Sequence, residues 1–438
     1  MPSTSEPLAS MTRSVRVAAL QLRAHDRDAF MHSLDRIIDD VRRAGHESDL
    51  VVLPEATFPA YVLGPSPIDE TDVAAALDRL RGVATATRTV IVAGAAAPNN
   101  GSVRNAAFVI DADGSLAGRA DKLFLWHFDR RWFAPGERLE PIATAVGVLG
   151  VLVCADGRLP TIARGLVDRG AEALVMPTAW VTSGRDPHAL ENVQADLLAR
   201  VRAFENRVPF VAANKCGSEL GMVAYCGKSQ IVDSRGEIVA IAGERDPETL
   251  HASIALAAER PQRTRPQPLP RASPLDRSLR LAISFDPLPD DIGDRLDLLD
   301  DAYAISPHDE LAAAFDGGLP AASVGDDLVL DPAGLVAYRR AGYALICWTT
   351  QLGAPWSERL ARARALELRL YVVVFDRSMR RAFAVDPDGA VVAGTFDGYR
   401  LASFAFDPRK TAETLVAPGS DLSEGLERVA GIIDDPRL

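Results

Sequence analysis

Apolar runs of strand length alternate with stretches of helical spacing along the first 258 residues. Residues 15–22 (VRVAALQL), 49–55 (DLVVLPE) and 89–97 (TVIVAGAAA) are mostly apolar stretches, which are typical of buried strands. Between them, residues 29–45 carry apolar side chains every three or four positions and end at Gly45, a pattern that predicts an amphipathic helix. Residues 73–86 predict a second helix of the same kind.

The alternation continues beyond residue 100. Polar turn residues between short apolar runs predict two hairpins, the first turning at Asp113–Gly114. Strands interleaved with outer helices predict an α/β domain over residues 14–258. The further predicted elements are hairpins at 105–125 and 229–242, helices at 161–169 and 191–207, and strands at 172–180 and 209–215.

The C-terminal part repeats sequence from the first domain. Residues 197–215 align with 359–377 at eight identities in nineteen positions, and 232–240 resemble 385–393. We therefore expect residues 278–438 to be a truncated, degenerate second copy with a C-terminal tail. The proline-rich stretch 259–277 predicts a linker, and the polar residues 1–13 are expected to be disordered. The alignment places Gly325 at the position of Cys154, so the second copy lacks that thiol.

Composition narrows the function classes. The 438 residues carry a formal charge of −12, which argues against a nucleic-acid-binding face. No apolar run approaches the ~20 residues needed to span a bilayer, and the N-terminus has no signal-peptide core. Four scattered cysteines lack metal-ligand spacing. We expect a cytoplasmic protein with no metal, cofactor, nucleic-acid or membrane partner.

Three chemically capable residues follow predicted strand ends: Glu55, Lys122 and Cys154. Strand ends are where an α/β sheet presents functional groups to a crevice. A thiol becomes a nucleophile with help from a base or a neighbouring positive charge, and a glutamate and a lysine supply both. Each of these residue types alone is more typical of an ordinary core or surface position. Whether the three are catalytic therefore depends on the sequence motifs around them.

That context resembles the nitrilase (carbon–nitrogen hydrolase) superfamily, in its amidase and carbamoylase-like branch. The motifs are VVLPEATFPAY around Glu55, RADKLFLWHFDRRWFAPG around Lys122 and VLVCADGRLP around Cys154. Supporting matches, in the same order as in the family, are VAALQL, RNAAFVIDADG, EALVMPTAW, RAFENRVPFVAANKCG and GKSQIVDSRGEIVA. The resemblance covers residues 14 to about 258.

The resemblance implies a four-layer α-β-β-α sandwich and a Cys-Glu-Lys triad that acts on a C–N bond. Cys154 would attack the substrate carbon, and Glu55 would act as the general base and acid. Lys122 and the backbone N–H of Ala155 would hold the oxyanion. The implied substrate is a small amide or N-carbamoyl compound, because Cys154-Ala155-Asp156 differs from the C-W-E typical of nitrilases proper.

Several residues near the triad keep alternative roles. Asp129 stands where many family members have a second glutamate, so it is expected to position the substrate, although a surface pair with Arg130 or Arg131 is the alternative. Tyr61, His127 and Trp180 are candidates for the pocket wall. His127 also raises the alternative of a Cys–His dyad.

Alternatives to the amidase remain at this stage. A nitrilase or an acyltransferase of the same superfamily would use the same covalent chemistry, and a pseudoenzyme with a binding or regulatory role would retain only the fold.

The resemblance also implies an association of subunits, because family members associate through helices near the nucleophile. A tandem copy is therefore expected to form an intramolecular pseudo-dimer, with further homo-oligomerisation left open.

Overall fold

The computed structural model describes residues 13–64, 68–99, 101–184, 188–257, 261, 268–287, 302–306 and 319–434. The N-terminus predicted to be disordered lies outside these residues except for Arg13, as does much of the predicted linker. The chain divides into two compact units. The first comprises residues up to 158, 162–261 and those after 428, and the second comprises 159–161 and 262–428.

The first unit is built on two sheets. In one sheet the strands run in the order β14-β1-β2-β3-β4-β5, and β10 and β11 continue it beside the end of β1. The parallel strands β1, β2 and β3 form its centre. These strands are β1 (Ser14–Arg23), β2 (Leu50–Val52), β3 (Val90–Asn99), β4 (Ser102–Ile110), β5 (Leu116–Asp121), β10 (Lys215–Glu219), β11 (Val223–Cys226) and β14 (Glu248–Ala255).

The second sheet has the order β13-β12-β9-β8-β7-β6, with β7, β8 and β9 parallel and the other neighbours antiparallel. It packs face to face on the first through β2, β3, β8 and β9. These strands are β6 (Ile142–Thr144), β7 (Gly147–Val151), β8 (Ala173–Pro177), β9 (Phe210–Ala213), β12 (Gln230–Val232) and β13 (Ile238–Ile241).

Helices cover the outer faces and complete the predicted four layers. Helices α1 (Phe30–Glu47) and α2 (Glu70–Thr87) pack on the first sheet, while α3 (Pro160–Asp168) and α4 (Ala199–Asn206) flank the second. The predicted apolar face of α1 is confirmed, because Phe30, Leu34, Ile37, Ile38 and Val41 are all buried.

Two predicted helices differ from the structure at their beginnings. Helix α2 begins at Glu70 rather than 73, because the Asp69 carboxylate accepts a hydrogen bond from Thr71 N and caps it. The predicted helix over 191–207 begins later, with a π-helical turn at Gln194–Leu198 that leads into α4. Asn192 accounts for the shorter helix, since its side-chain oxygen accepts from Gln194 N.

The second unit also contains a central sheet, with the order β17-β18-β19-β20-β21, and a three-stranded sheet, β16-β15-β22. Its strands are β15 (Leu279–Ile283), β16 (Ala302–Ile305), β17 (Ala321–Val324), β18 (Leu345–Thr350), β19 (Tyr371–Asp376), β20 (Arg381–Val385), β21 (Val391–Gly394), β22 (Ala402–Phe406), β23 (Leu415–Ala417) and β24 (Ser420–Asp421). Its helices are α5 (Asp326–Leu330), α6 (Pro332–Arg340), α7 (Trp356–Leu368) and the first part of α8 (Leu422–Ile433).

One buried contact fixes how the two units correspond. In the first unit Arg202 Nε donates to Gly157 O at 3.0 Å and Nη1 pairs with Glu205 at 2.8 Å. In the second, Arg364 Nε donates to Val329 O at 2.7 Å and Nη1 pairs with Glu367 at 2.6 Å. Since Cys154 lies three residues before Gly157, its equivalent is the residue three before Val329. That residue is Asp326, so the sequence alignment that placed Gly325 there was wrong by one position.

Candidate active site

Cys154 lies in a strained turn that follows strand β7 of the second sheet. After β7, the chain enters a short 3-10 helix at Cys154–Arg158, and Cys154 has φ +47°, a conformation that is rare for a residue with a side chain. The backbone N–H of Ala155 falls in the first turn of this helix, where N–H groups have no acceptor within the helix. The turn therefore places the thiol next to a backbone N–H for which the helix itself supplies no acceptor.

Asp156 holds this turn and ties it to the segment that carries the lysine. Its carboxylate accepts hydrogen bonds from Val153 N at 3.0 Å, Leu123 N at 3.0 Å and Phe124 N at 2.7 Å. Burial raises the pKa of Asp156 to about 7, although the three N–H donors oppose that rise. Lys122 and Cys154 are thereby held in a fixed relation to each other.

Glu55 lies three residues beyond the end of β2, in a fully buried position. Its backbone N–H donates to Thr178 O at 3.2 Å, and Ala56 behind it has φ +43°. Strand β3 passes so close that a Cβ on Gly94 would lie 2.3 Å from Pro54 O and 2.6 Å from Glu55 Cα. Only glycine fits at position 94, because a larger residue would push the backbone of Glu55 away.

Lys122 connects the acidic side chains of the site. Its Nζ lies 2.7 Å from Glu55 Oε1 and 2.6 Å from Asp129 Oδ2, and all three side chains are fully buried. Burial lowers the pKa of Lys122, but the charges of Asp129 and Glu55 outweigh it and raise that pKa well above its usual value. The ammonium therefore stays charged at neutral pH.

Asp129 is not a surface residue. It is buried, it accepts hydrogen bonds from Tyr61 Oη at 2.5 Å and Trp126 N at 2.9 Å, and it pairs with Lys122 rather than with its neighbouring arginines. The surface alternative weighed for Asp129 was therefore wrong, and the shorter aspartate side chain still reaches the lysine.

The Cys154 thiol lies close enough to Glu55 and Lys122 for both charges to change its pKa. Burial raises that pKa most, and Glu55 raises it further, whereas Lys122 and the neighbouring Thr178 and Ala179 lower it. The net result is a pKa well above the usual value, so the resting site holds a neutral thiol beside a carboxylate. Such a thiol needs a base at the moment of attack.

The candidates for the pocket wall separate into two groups. Tyr61 and Trp180 are buried, and burial together with the Asp129 charge raises the pKa of Tyr61 well above its usual value. His127 is exposed, and its ring lies edge-on against Phe128 with centroids 5.1 Å apart. The Cys–His dyad considered from the sequence has no support in this arrangement.

The sequence model of the family described as carbon–nitrogen hydrolase matches residues 16–264, which is more than half of the chain. The chain belongs to the carbon–nitrogen hydrolase family. It is similar to a hydrolase in the pqqF 5' region of Pseudomonas protegens, at 31% identity over 252 residues that cover 55% of this chain and 85% of that protein. The omega-amidase NIT3 of Saccharomyces cerevisiae is 28% identical over 264 residues, covering 56% of this chain and 88% of its own.

Solved structures agree with this assignment. A double mutant of the amidase from Nesterenkonia sp. AN1, in complex with acrylamide, superposes with a TM-score of 0.50 at 27% identity, over 56% of this chain and 93% of that one. Another mutant of that amidase shows covalent addition of the acetamide moiety of fluoroacetamide at its active-site cysteine, with the same TM-score and identity over 57% of this chain and 94% of that one. The protein is an amidase-like enzyme of this family.

Residues that were not singled out as candidates also contact this part of the hydrolase. Asn105 Nδ2 donates to Glu55 Oε1 at 2.7 Å, and its carbonyl accepts from Lys122 N at 2.8 Å. Lys215 and Glu219 form a second buried ion pair at 2.6 Å beside the loop that follows Glu55. Asn105 and Lys215 both stand inside motifs that resemble the family, RNAAFVIDADG and RAFENRVPFVAANKCG, and that position was the available signal.

Metal-binding groups and membrane-spanning helices were both sought among the described residues. In the part of the chain that the structure describes, no group of three or more histidine, cysteine, aspartate or glutamate side chains could hold a metal ion. Among the same residues, no helix is long and apolar enough to cross a membrane.

Proposed function

We propose that the enzyme hydrolyses the C–N bond of a small amide or N-carbamoyl substrate through an acyl-enzyme on Cys154. The observation that carries the proposal is the buried cluster of Glu55, Lys122 and Asp129 beside a neutral thiol in a strained turn. A buried cluster of charged groups costs desolvation energy, and Glu55 Oε2 has no hydrogen-bond partner among the described residues. Such an arrangement is typical of a site kept for chemistry.

In the acylation step, Glu55 takes the proton of the thiol as Cys154 Sγ bonds to the carbonyl carbon. The carbonyl oxygen becomes an oxyanion that the Lys122 ammonium and the Ala155 N–H stabilise. The C–N bond then breaks, Glu55 returns the proton to the departing nitrogen, and a thioester remains on Cys154.

Deacylation uses the same residues, with water in place of the thiol as the nucleophile. Water attacks the thioester while Glu55 accepts its proton, the oxyanion forms again beside Lys122, and the C–S bond breaks. The thiolate regains its proton from Glu55, and the acid leaves. Asp129 takes no proton in this scheme; it balances the charge of Lys122 and orients it toward Glu55.

Arg158 supports a narrower substrate class, one that bears a carboxylate. Its guanidinium stacks on the Trp126 ring, with Cζ 4.1 Å from the centroid, and its charge acts on Cys154. Its Nε is buried without a hydrogen-bond partner among the described residues. Burial lowers the pKa of Arg158 only to about 10, so it stays a cation beside the nucleophile at neutral pH. No carboxylate of the described part of the chain pairs with it, which leaves it able to bind one from a substrate.

The test is a panel of small primary amides, N-carbamoyl compounds and nitriles, assayed for ammonia and for the acid product. Loss of turnover in Cys154→Ala and a mass shift on Cys154 during turnover are expected. Amide accumulation from nitriles, or transfer of the acyl group to an added amine without acid release, would contradict the proposal.

The carboxylate preference has its own matched pair of substrates. Succinamate and butyramide differ chiefly in one carboxylate, and Arg158→Met should raise KM for succinamate about tenfold or more while leaving butyramide nearly unchanged. An equal effect on both substrates would show that Arg158 merely packs against Trp126.

A further inference from the structure

The loop Ala56–Val62 follows Glu55 directly and contains Tyr61. The buried ion pair of Lys215 and Glu219, on strand β10, makes hydrogen bonds to both ends of this loop. Lys215 Nζ on β10 donates to Ala56 O at 3.1 Å and pairs with Glu219 Oε1 at 2.6 Å. Glu219 Oε2 accepts from Tyr61 N at 3.1 Å and Val62 N at 2.8 Å. The ammonium thus holds the beginning of the loop and the carboxylate holds its end.

This loop reaches the proposed site twice. It begins next to Glu55, and its Tyr61 hydroxyl donates to Asp129 Oδ1 at 2.5 Å. Asp129 in turn holds Lys122 at 2.6 Å, and Lys122 holds Glu55 at 2.7 Å. The centroid of the Tyr61 ring lies 5.8 Å from Lys122 Nζ and 6.0 Å from Lys215 Nζ. A shift of the loop therefore acts on Glu55 and on Lys122 together.

We propose that Lys215 and Glu219 are a positioning pair, which fixes the loop so that Tyr61 and Asp129 hold Lys122 against Glu55. The proposal rests on the proposed function of that site. Neither Lys215 nor Glu219 is given a contact with substrate in this role. A buried ion pair is weak evidence of stability, because apolar side chains of similar size often stabilise a fold equally well. What apolar side chains lack is a donor for Ala56 O and an acceptor for two backbone N–H groups.

The second unit offers an independent observation. There the chain passes from β19, which ends at Asp376, to β20, which begins at Arg381, so the hairpin β10–β11 has no counterpart. The first unit has that hairpin, with both members of the pair on it. The pair is therefore absent from the unit that lacks a counterpart of Cys154, although the buried arginine contact to the backbone is kept in both units.

The test measures iodoacetamide alkylation of Cys154 by peptide mapping, in the full-length protein across pH 6 to 9. Lys215→Met and Glu219→Gln should each slow alkylation about ten- to a hundredfold, since small displacements of reacting groups have effects of this size. The rate should also depend more steeply on pH toward the alkaline end, because a displaced Glu55 leaves more of the reaction to the thiolate of Cys154, whose pKa is raised. Lys215→Arg keeps both donations and should restore most of the rate.

A matched control separates positioning from folding. Arg364→Met removes one member of an equally buried pair in the second unit, and it should leave the rate and its pH profile unchanged. If Lys215→Met does not fold, Glu219→Gln, which retains the shape of the side chain, carries the test alone. Normal alkylation in Glu219→Gln, with slow alkylation in Glu55→Gln and Lys122→Ala, would overturn the positioning proposal and leave the function intact. Normal alkylation in Glu55→Gln and Lys122→Ala would overturn the proposed function itself.

Discussion

The sheet β7-β8-β9-β12-β13 of the first unit and the sheet β17–β21 of the second repeat the same order of parallel and antiparallel neighbours. Both also contain an arginine-to-glycine-turn contact, from Arg200 to Gly236 O at 2.7 Å and from Arg362 to Gly389 O at 2.9 Å. We infer that the second unit is a shortened copy that kept the contacts holding helix to sheet.

The units differ where the proposed chemistry takes place. At the position of Cys154 the second unit has Asp326, whose carboxylate accepts a hydrogen bond from Trp348 Nε1 at 2.9 Å. A carboxylate fixed by an indole is a satisfied polar contact rather than a thiol nucleophile. The comparison teaches that the scaffold of this fold and its reactive groups are separable, because the first survives where the second has been replaced.

Replacing the nucleophile should have the largest effect and test this separation directly. Cys154→Ala should reduce amide hydrolysis at least about a thousandfold, since removing a covalent nucleophile typically has such an effect. Adding Asp326→Cys to that variant should restore nothing, because a thiol there has no lysine and glutamate placed as in the first unit. Recovery of turnover in the double variant, measured as ammonia release, would show that the second unit is competent.

Removing the ammonium should come next. Lys122→Ala should lower kcat about a hundred- to a thousandfold, as is usual when one oxyanion donor is lost. Asp129→Asn, which keeps the acceptor for Tyr61 but removes a charge, should have a smaller effect on kcat. A Lys122→Ala enzyme that changes KM alone would contradict the role given to this residue.

Substitutions in the two equivalent buried arginine–glutamate pairs should show which effects are on stability and which are on activity. Arg202→Met and Arg364→Met each remove the cation of a buried ion pair, which should cost about 3–5 kcal/mol of unfolding free energy in urea titrations. Only Arg202→Met should also slow Cys154 alkylation, since only Arg202 holds Gly157 O in the nucleophile turn. An equal loss of alkylation in Arg364→Met would contradict the separation of the two units.

The smallest effect concerns pH. Because the pKa of Cys154 is raised, the thiolate fraction at neutral pH is small and grows as pH rises. In Glu55→Gln, alkylation must proceed through that thiolate, so its rate should rise about tenfold per pH unit from pH 7 to 9 without a plateau. A plateau near pH 7 in that variant would mean that the thiol ionises without help from Glu55.

Much of the first unit could be predicted from its sequence, because its central strands are mostly apolar and the apolar side chains of α1 lie on one face. The grouping of Glu55, Lys122 and Cys154 also followed from their motifs. The alignment error at Gly325 arose because β17 carries too little sequence identity to fix its register, which the contact of Arg364 with Val329 determines in space.

The contacts that join distant parts of the site were beyond the sequence. Lys215 lies 159 positions from Ala56, and Tyr61 lies 68 from Asp129, so no local pattern connects them. Burial of Asp129 was equally hidden, because it stands beside Arg130 and Arg131 in a polar run that is typical of a surface.

The most direct test of the central claim compares the cysteines of the two units. Burial alone raises the pKa of Cys347, on β18, to about 12. Iodoacetamide mapping of all four cysteines between pH 6 and 8 should show rapid alkylation of Cys154, slow alkylation of Cys347, and slower alkylation of Cys154 in Glu55→Gln and Lys122→Ala. If Cys154 reacts no faster than Cys347, and neither substitution changes its rate, the first unit does not activate its thiol and the account is wrong.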